Sequence, residues 1–188
     1  VPRIALVDFN NDSIQDSLRV LRQMFSRYAA LMDAGDEAEA ERYRLYGVRL
    51  DTSGNMRDEC VPPLGDPALD FGVTPRLVFN VRQALDAAWE GWELSPAQKQ
   101  MAETYCHDVK IVATGGFGPE KIDLFERLNV PVDIYGVGSS LLRNDKTTNT
   151  DFTADVVRVK VDGAWRELAK VGRAARHNPE LEPVDLTN

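Results

Sequence analysis

Lys110-Ile111-Val112-Ala113-Thr114-Gly115-Gly116-Phe117-Gly118-Pro119-Glu120 carries an apolar run into a glycine pair and then into a proline. Beyond Pro119, the residues Ile122, Phe125 and Leu128 recur on one helical face, so the order is strand, tight loop, helix. A junction of this kind aims backbone N–H groups and a helix N-terminus at one point, and that point favours an anion. The next strand repeats the idea: Val132-Asp133-Ile134-Tyr135 runs into Gly136-Val137-Gly138-Ser139-Ser140. A single Gly-Gly turn reads as an ordinary tight turn. Two in succession, each followed by hydroxyl or helix-start residues, shift the reading towards phosphate.

Working outward, Val1-Pro2-Arg3-Ile4-Ala5-Leu6-Val7 reads as a buried strand that ends at Asp8, and its abrupt start is expected of a piece of a larger protein. Asp12 or Ser13 caps a helix whose face is Ile14, Leu18, Leu21, Phe25, Tyr28 and Leu31/Met32, ending near Ala34-Gly35. The acidic segment Asp36 to Glu41 reads as a solvated face or turn. Tyr46-Gly47-Val48-Arg49-Leu50 is the second strand, stopped by Asp51-Thr52-Ser53-Gly54. Residues 55 to 73 hold Pro62, Pro63 and Pro67, which predicts a long loop over whatever the strand ends surround. Thr74-Pro75 starts a helix with Leu77, Val78, Val81, Leu85, Ala88, Trp89 and Trp92 on its buried face. Ser95-Pro96 opens another to about Cys106, and His107 precedes the third strand.

After Ser140 the period changes. Phe152 to Val161 alternates, Asp162-Gly163 makes a hairpin turn, and Trp165 to Lys170 returns, so an antiparallel hairpin leaves the βα series for a separate layer or domain. The domains expected are 1–145 and 146–188. Four parallel-type strands near 3–7, 47–50, 110–114 and 132–136 make half of an eight-fold barrel or an open doubly wound sheet; both put ligands at the carboxyl ends of the strands.

Composition narrows the function. The 188 residues are 43% hydrophobic and carry a net charge of −8, which argues against a nucleic-acid surface, because phosphate backbones demand clustered cations. No apolar run is long enough to span a bilayer and the N-terminal residues lack the basic and apolar regions of a secretory signal, so a cytoplasmic location is expected. Cys60 and Cys106 stand in no metal-ligand spacing and read as free thiols. His107, at the amino end of its strand, and His177, in the tail, are poorly placed for a triad or a metal site.

Asp8 and Asp51 end neighbouring strands if the order is simple. Paired carboxylates there can bind ribose hydroxyls, hold Mg²⁺ or act as a base, or else merely cap loops. Arg49, two residues before Asp51, shares its face of the strand and can pair with a carboxylate or lie along an aromatic ring, or equally form a structural ion pair.

Taken together, Ala5-Leu6-Val7-Asp8, Tyr46-Gly47-Val48-Arg49-Leu50-Asp51-Thr52, Ala113-Thr114-Gly115-Gly116 and Ile134-Tyr135-Gly136-Val137-Gly138-Ser139-Ser140 resemble, in order and spacing, the second half of nicotinate phosphoribosyltransferases. The resemblance implies half of an irregular (β/α) TIM-like barrel followed by an antiparallel β-hairpin belonging to a second domain. It implies joining of nicotinate to phosphoribosyl pyrophosphate in NAD biosynthesis, with Mg²⁺ as cofactor, ATP as co-substrate and a homo-oligomeric assembly. By that similarity Arg49 faces the pyridine ring, Asp51 and Asp8 serve the ribose or its metal as catalytic and metal-binding residues, and Gly115, Gly116, Gly138 and Ser139 hold the 5′-phosphate. The family's N-terminal half, including the histidine phosphorylated by ATP, has no counterpart in these residues, and neither His107 nor His177 takes its place. The expected partners are therefore that missing half and the small-molecule substrates. Related quinolinate or nicotinamide enzymes, and a non-catalytic phosphate-binding half-barrel that docks on a partner, are the alternatives.

Overall fold

The computed structural model describes residues 2–138, 140 and 155–174. The chain divides into two compact units, Val1–Phe152 and Thr153–Asn188. The first holds a four-stranded parallel sheet of β1 (Ile4–Leu6), β2 (Gly47–Leu50), β3 (Lys110–Ala113) and β4 (Ile134–Tyr135). Strand order follows chain order, β1-β2-β3-β4, with Ile4 opposite Gly47, Gly47 opposite Lys110 and Val112 opposite Ile134. There is no reversal of order, so the switch point that defines a doubly wound sheet is missing from these four strands.

β2 and β3 stop where their apolar runs stop. Val48, Leu50, Ile111 and Ala113 are fully buried and join one core cluster with the helices. The alternate residues point the other way, as strand periodicity demands. That second face carries Ile4 (45% exposed), Leu6 (54%), Ile134 (37%), Arg49 and, at its centre, the buried Val112 (7%). The expected buried first strand is thus covered on one side only. A parallel sheet is ordinarily covered on both.

The covering helices are α1 (Ser13–Asp33), α4 (Pro75–Ala87), α5 (Pro96–Asp108) and α6 (Pro119–Arg127), with the short α2 (Glu37–Ala40) and α3 (Pro67–Asp70) between them. Asp12, rather than Ser13, caps α1 by accepting from the Gln15 N–H, and Gly35 at φ +75° ends it. Thr74 and Ser95 cap α4 and α5, each followed by proline in the first turn. Within the core, Phe25 of α1 meets Trp92 and Tyr105 at centroid distances of 5.0 and 5.3 Å. The tryptophans pack against the core, as expected, but Trp89 lies in a 3₁₀ turn (Ala88–Gly91) and Trp92 follows it.

Four local expectations change. The acidic segment 36–41 is not a bare turn: Asp36 caps α2, and Ala40 is completely buried. α5 runs on past Cys106, so His107 is helical and exposed beside Asp86. In α6 Phe125 is buried while Leu128, beyond the last helical residue, is half exposed. The proline-rich loop 55–73 holds helix α3 and is pinned from within. Asp70, 3% exposed, accepts from the Leu64 and Gly65 N–H groups and pairs with Arg76 at 2.8 Å. Burial works to raise the Asp70 pKa, but these hydrogen bonds outweigh it and hold the carboxyl below its usual range.

The second unit contains the expected hairpin, β5 (Arg158–Val161) and β6 (Ala164–Glu167), antiparallel with Val161 opposite Ala164. Asp162 and Gly163 sit at φ +50° and +81°, the two positive values a two-residue type I′ turn requires.

Candidate functional site

The site forms where β2 and β3 end side by side. Arg49 and Asp51 lie on the same face of the chain, and Arg49 Nη2 meets Asp51 Oδ2 at 2.8 Å. Thr114, the last residue before the glycine pair, accepts from Arg49 Nε at 3.0 Å and donates to the Leu50 carbonyl at 3.0 Å. The guanidinium is therefore held flat from two sides. With side chains 43% and 30% exposed, Arg49 and Asp51 remain open to solvent and to a ligand.

The glycines are there for different reasons. Gly115 and Gly116 take φ +88° and +72°, where other residues are strained. A Cβ on Gly115 would also stand 3.2 Å from Asp51 Oδ1, so the Asp51 carboxylate packs directly on the loop backbone. At Gly136 a Cβ would collide with the Thr114 methyl, because the Gly136 N–H donates to the Ala113 carbonyl at 2.8 Å and holds the two segments close. Gly118 is the residue before α6 and offers no side-chain cap to the N–H groups of that helix.

Ser140 Oγ donates to the Phe117 carbonyl at 3.2 Å, and this contact joins the two glycine loops. Gly138 is exposed with open space around it, and Ser139 lies outside the described residues. Of the expected residues, then, the structure brings together Arg49, Asp51, Gly115 and Gly116, with Gly138 on the adjoining loop.

Asp8 differs. Its strand pairs with β2, and continuing that register sets it across from Asp51, yet its side chain is only 2% exposed. It is a carboxylate inside the rim, not one that lines it. Among the described residues no three His, Cys, Asp or Glu side chains are grouped to hold a metal ion. Mg²⁺ commonly needs only one or two carboxylates when substrate phosphates and water complete its shell. Here the exposed candidate, Asp51, is already paired with Arg49, so these residues do not make a magnesium site by themselves.

Sequence reasoning missed three residues of this region. Thr114 fixes Arg49, and its position directly before the glycine pair was the available signal. Lys121 folds over the loop, with Nζ 3.2 Å from the Gly115 carbonyl; a cation in the first turn of a helix is the sign that could have found it. Asp58, fully buried in the proline-rich loop, accepts from Ser13 Oγ at 2.6 Å, from the Ser13 and Cys60 N–H groups and from Thr52 Oγ1. Nothing in the loop's composition announced a tie between α1, the end of β2 and the loop itself. Burial, reinforced by Asp58, pushes the Cys60 thiol above its ordinary range and favours its protonated form. Both cysteines are free thiols, as expected.

His107 stands at the amino end of the sheet, 3.9 Å from Asp86, away from this site, and His177 lies outside the described residues. No described helix is long and apolar enough to cross a membrane.

Fold and site define a mixed α/β protein whose parallel strands end in a polar, glycine-lined rim. Among known proteins the chain matches no family model, no curated protein and no solved structure.

Proposed function

We propose that the chain is half of an irregular (β/α) barrel that works as a nicotinate phosphoribosyltransferase, forming nicotinate mononucleotide from nicotinate and phosphoribosyl pyrophosphate. The observation that carries this reading is the cluster in which Arg49, Asp51, Thr114 and the Gly115 backbone meet at the carboxyl ends of two adjacent strands. In this reaction the bond from the anomeric carbon to pyrophosphate breaks as a bond to the pyridine nitrogen forms. The transition state resembles an oxocarbenium ion, so catalysis needs orientation and fixed charge more than a strong nucleophile.

The residues suit those roles. The loop at Gly115 and Gly116 and the α6 N-terminus anchor the 5′-phosphate, with Gly138 on the adjoining loop. Asp51 lies beside that anchor, where a ribose would follow. Arg49, tied by Thr114 and Asp51, presents its remaining nitrogen to the carboxylate or the ring of nicotinate. Asp8 supports the rim from below. Mg²⁺ enters this reading bound to substrate phosphates, and ATP as a co-substrate spent on the missing half.

The apolar second face of the sheet supports a half-barrel whose other half packs there, supplied by the rest of the same protein. The same face would serve a non-catalytic phosphate-binding half-barrel on a partner, and turnover separates the two. Titration of the chain with nicotinate mononucleotide, followed by calorimetry, is expected to give saturable binding that Asp51→Ala or Gly115→Val removes while the far-ultraviolet circular dichroism is unchanged. Equal binding by both variants would sink the site assignment. A substrate panel on the full-length protein separates nicotinate from nicotinamide and from quinolinate, whose use also releases CO₂.

A further inference from the structure

Lys121 occupies the first turn of α6, where the helix macrodipole disfavours a cation. A lysine there can extend into water at no cost in packing. Instead it folds back over the loop: Nζ donates to the Gly115 carbonyl at 3.2 Å and stands 4.2 Å from the centre of the Phe117 ring and 5.9 Å from that of Phe125. Of the other acids of α6, Asp123 pairs with Arg127 and Glu126 accepts from the Tyr135 hydroxyl, while Glu120, beside Lys121 in the first turn, makes no ion pair with it. No carboxylate of the described residues pairs with it. Burial holds its ammonium below the ordinary lysine range.

The ring faces and one carbonyl offset only part of this cost. An anion at the loop would reverse all three disadvantages at once: position at a positive helix end, lost water and lack of a counter-ion. The rest of the site makes that anion hard to hold. Arg49 is neutralised by Asp51, and the chain carries a net charge of −8, so backbone N–H groups alone would face a dianion in an unfavourable field.

From this geometry we infer that Lys121 is the charge-bearing contact for a phosphate monoester dianion held at the Gly115–Gly118 loop, moving from the Phe117 face and the Gly115 carbonyl onto the phosphate oxygens. This rests on the phosphate-anchor reading of the same loop and adds to it the residue that supplies the charge.

The test is titration of the chain with ribose 5-phosphate, followed by phosphorus NMR, with uncharged ribose as the control. Lys121→Met is expected to weaken binding about tenfold or more, the loss of one charge-assisted hydrogen bond, while Lys121→Arg stays within about threefold of the parent. Thermal midpoints of both variants should match the parent, and the Lys121 side-chain signals should shift on saturation. Parent-like binding by Lys121→Met overturns the inference and leaves the phosphate anchor standing. Equal weakening in both variants, with lowered midpoints, assigns Lys121 to structure and overturns it too. No binding of ribose 5-phosphate by the parent overturns the inference and the anchor together.

Discussion

The two faces of the parallel sheet are built from alternate residues of the same short strands and behave oppositely. On the helix side, Val48, Leu50, Ile111 and Ala113 are fully buried and share one core with Phe25, Leu77 and Phe125. On the other, Leu6 and Ile4 are about half exposed, and a solvent-open ion pair, Arg49 with Asp51, stands where a core would need hydrocarbon. The first face holds the fold together. The second does little for stability in this chain and carries the candidate chemistry, so stability and function are divided by the pleat, residue by alternate residue.

The largest break in that comparison should come from truncating both faces. Leu50→Ala removes a fully buried side chain and is expected to cost about 2–5 kcal/mol, whereas Leu6→Ala should cost less than about 1 kcal/mol. Urea unfolding of both variants measures this, and an equal loss would mean that the second face is covered after all. Next in size is Gly136→Ala, whose methyl would meet Thr114 while that residue is held by Arg49 and Leu50. Overpacking of this kind costs about 1–3 kcal/mol, and the same variant should weaken ligand binding by displacing Arg49. Smallest is Arg49→Met. A half-exposed ion pair contributes about 0–1 kcal/mol, so the thermal midpoint should barely move while nicotinate mononucleotide binding falls. A large drop in midpoint would make Arg49 a structural residue.

Much of the first unit was legible because its punctuation is local. Glycine pairs and Asp-Thr-Ser-Gly end strands; Asp12, Thr74-Pro75 and Ser95-Pro96 begin helices; Arg49 and Asp51 share a face by the period of a strand. The hairpin followed from alternation on both sides of Asp162-Gly163. What stayed hidden depends on contacts far apart in sequence. Asp58 reads as one more acid in a loop until Ser13 and Thr52 meet it, and the order of Lys121 over Phe117 depends on how α6 leaves the strand. Asp8 reads as a rim residue because it ends a strand, but burial is a tertiary property that strand position does not determine. The exposure of Ile4 and Leu6 was equally invisible, since an apolar strand reads alike with one face covered or two.

Strand order that follows chain order has a kinetic side. The central pair, β2 with β3, joins residues further apart along the chain than either outer pair, as Gly47 opposite Lys110 shows against Ile4 opposite Gly47 and Val112 opposite Ile134. Closing that span carries the greatest loop entropy of the sheet, and distant contacts form slowly. The intervening loop shortens the effective span, because Asp70, Arg76 and Arg57 tie it to itself and Asn80 ties Cys60 to α4. The middle of the sheet, and with it the meeting of Arg49 and Thr114, is therefore expected to assemble late, after the proline-rich segment has drawn its own ends together.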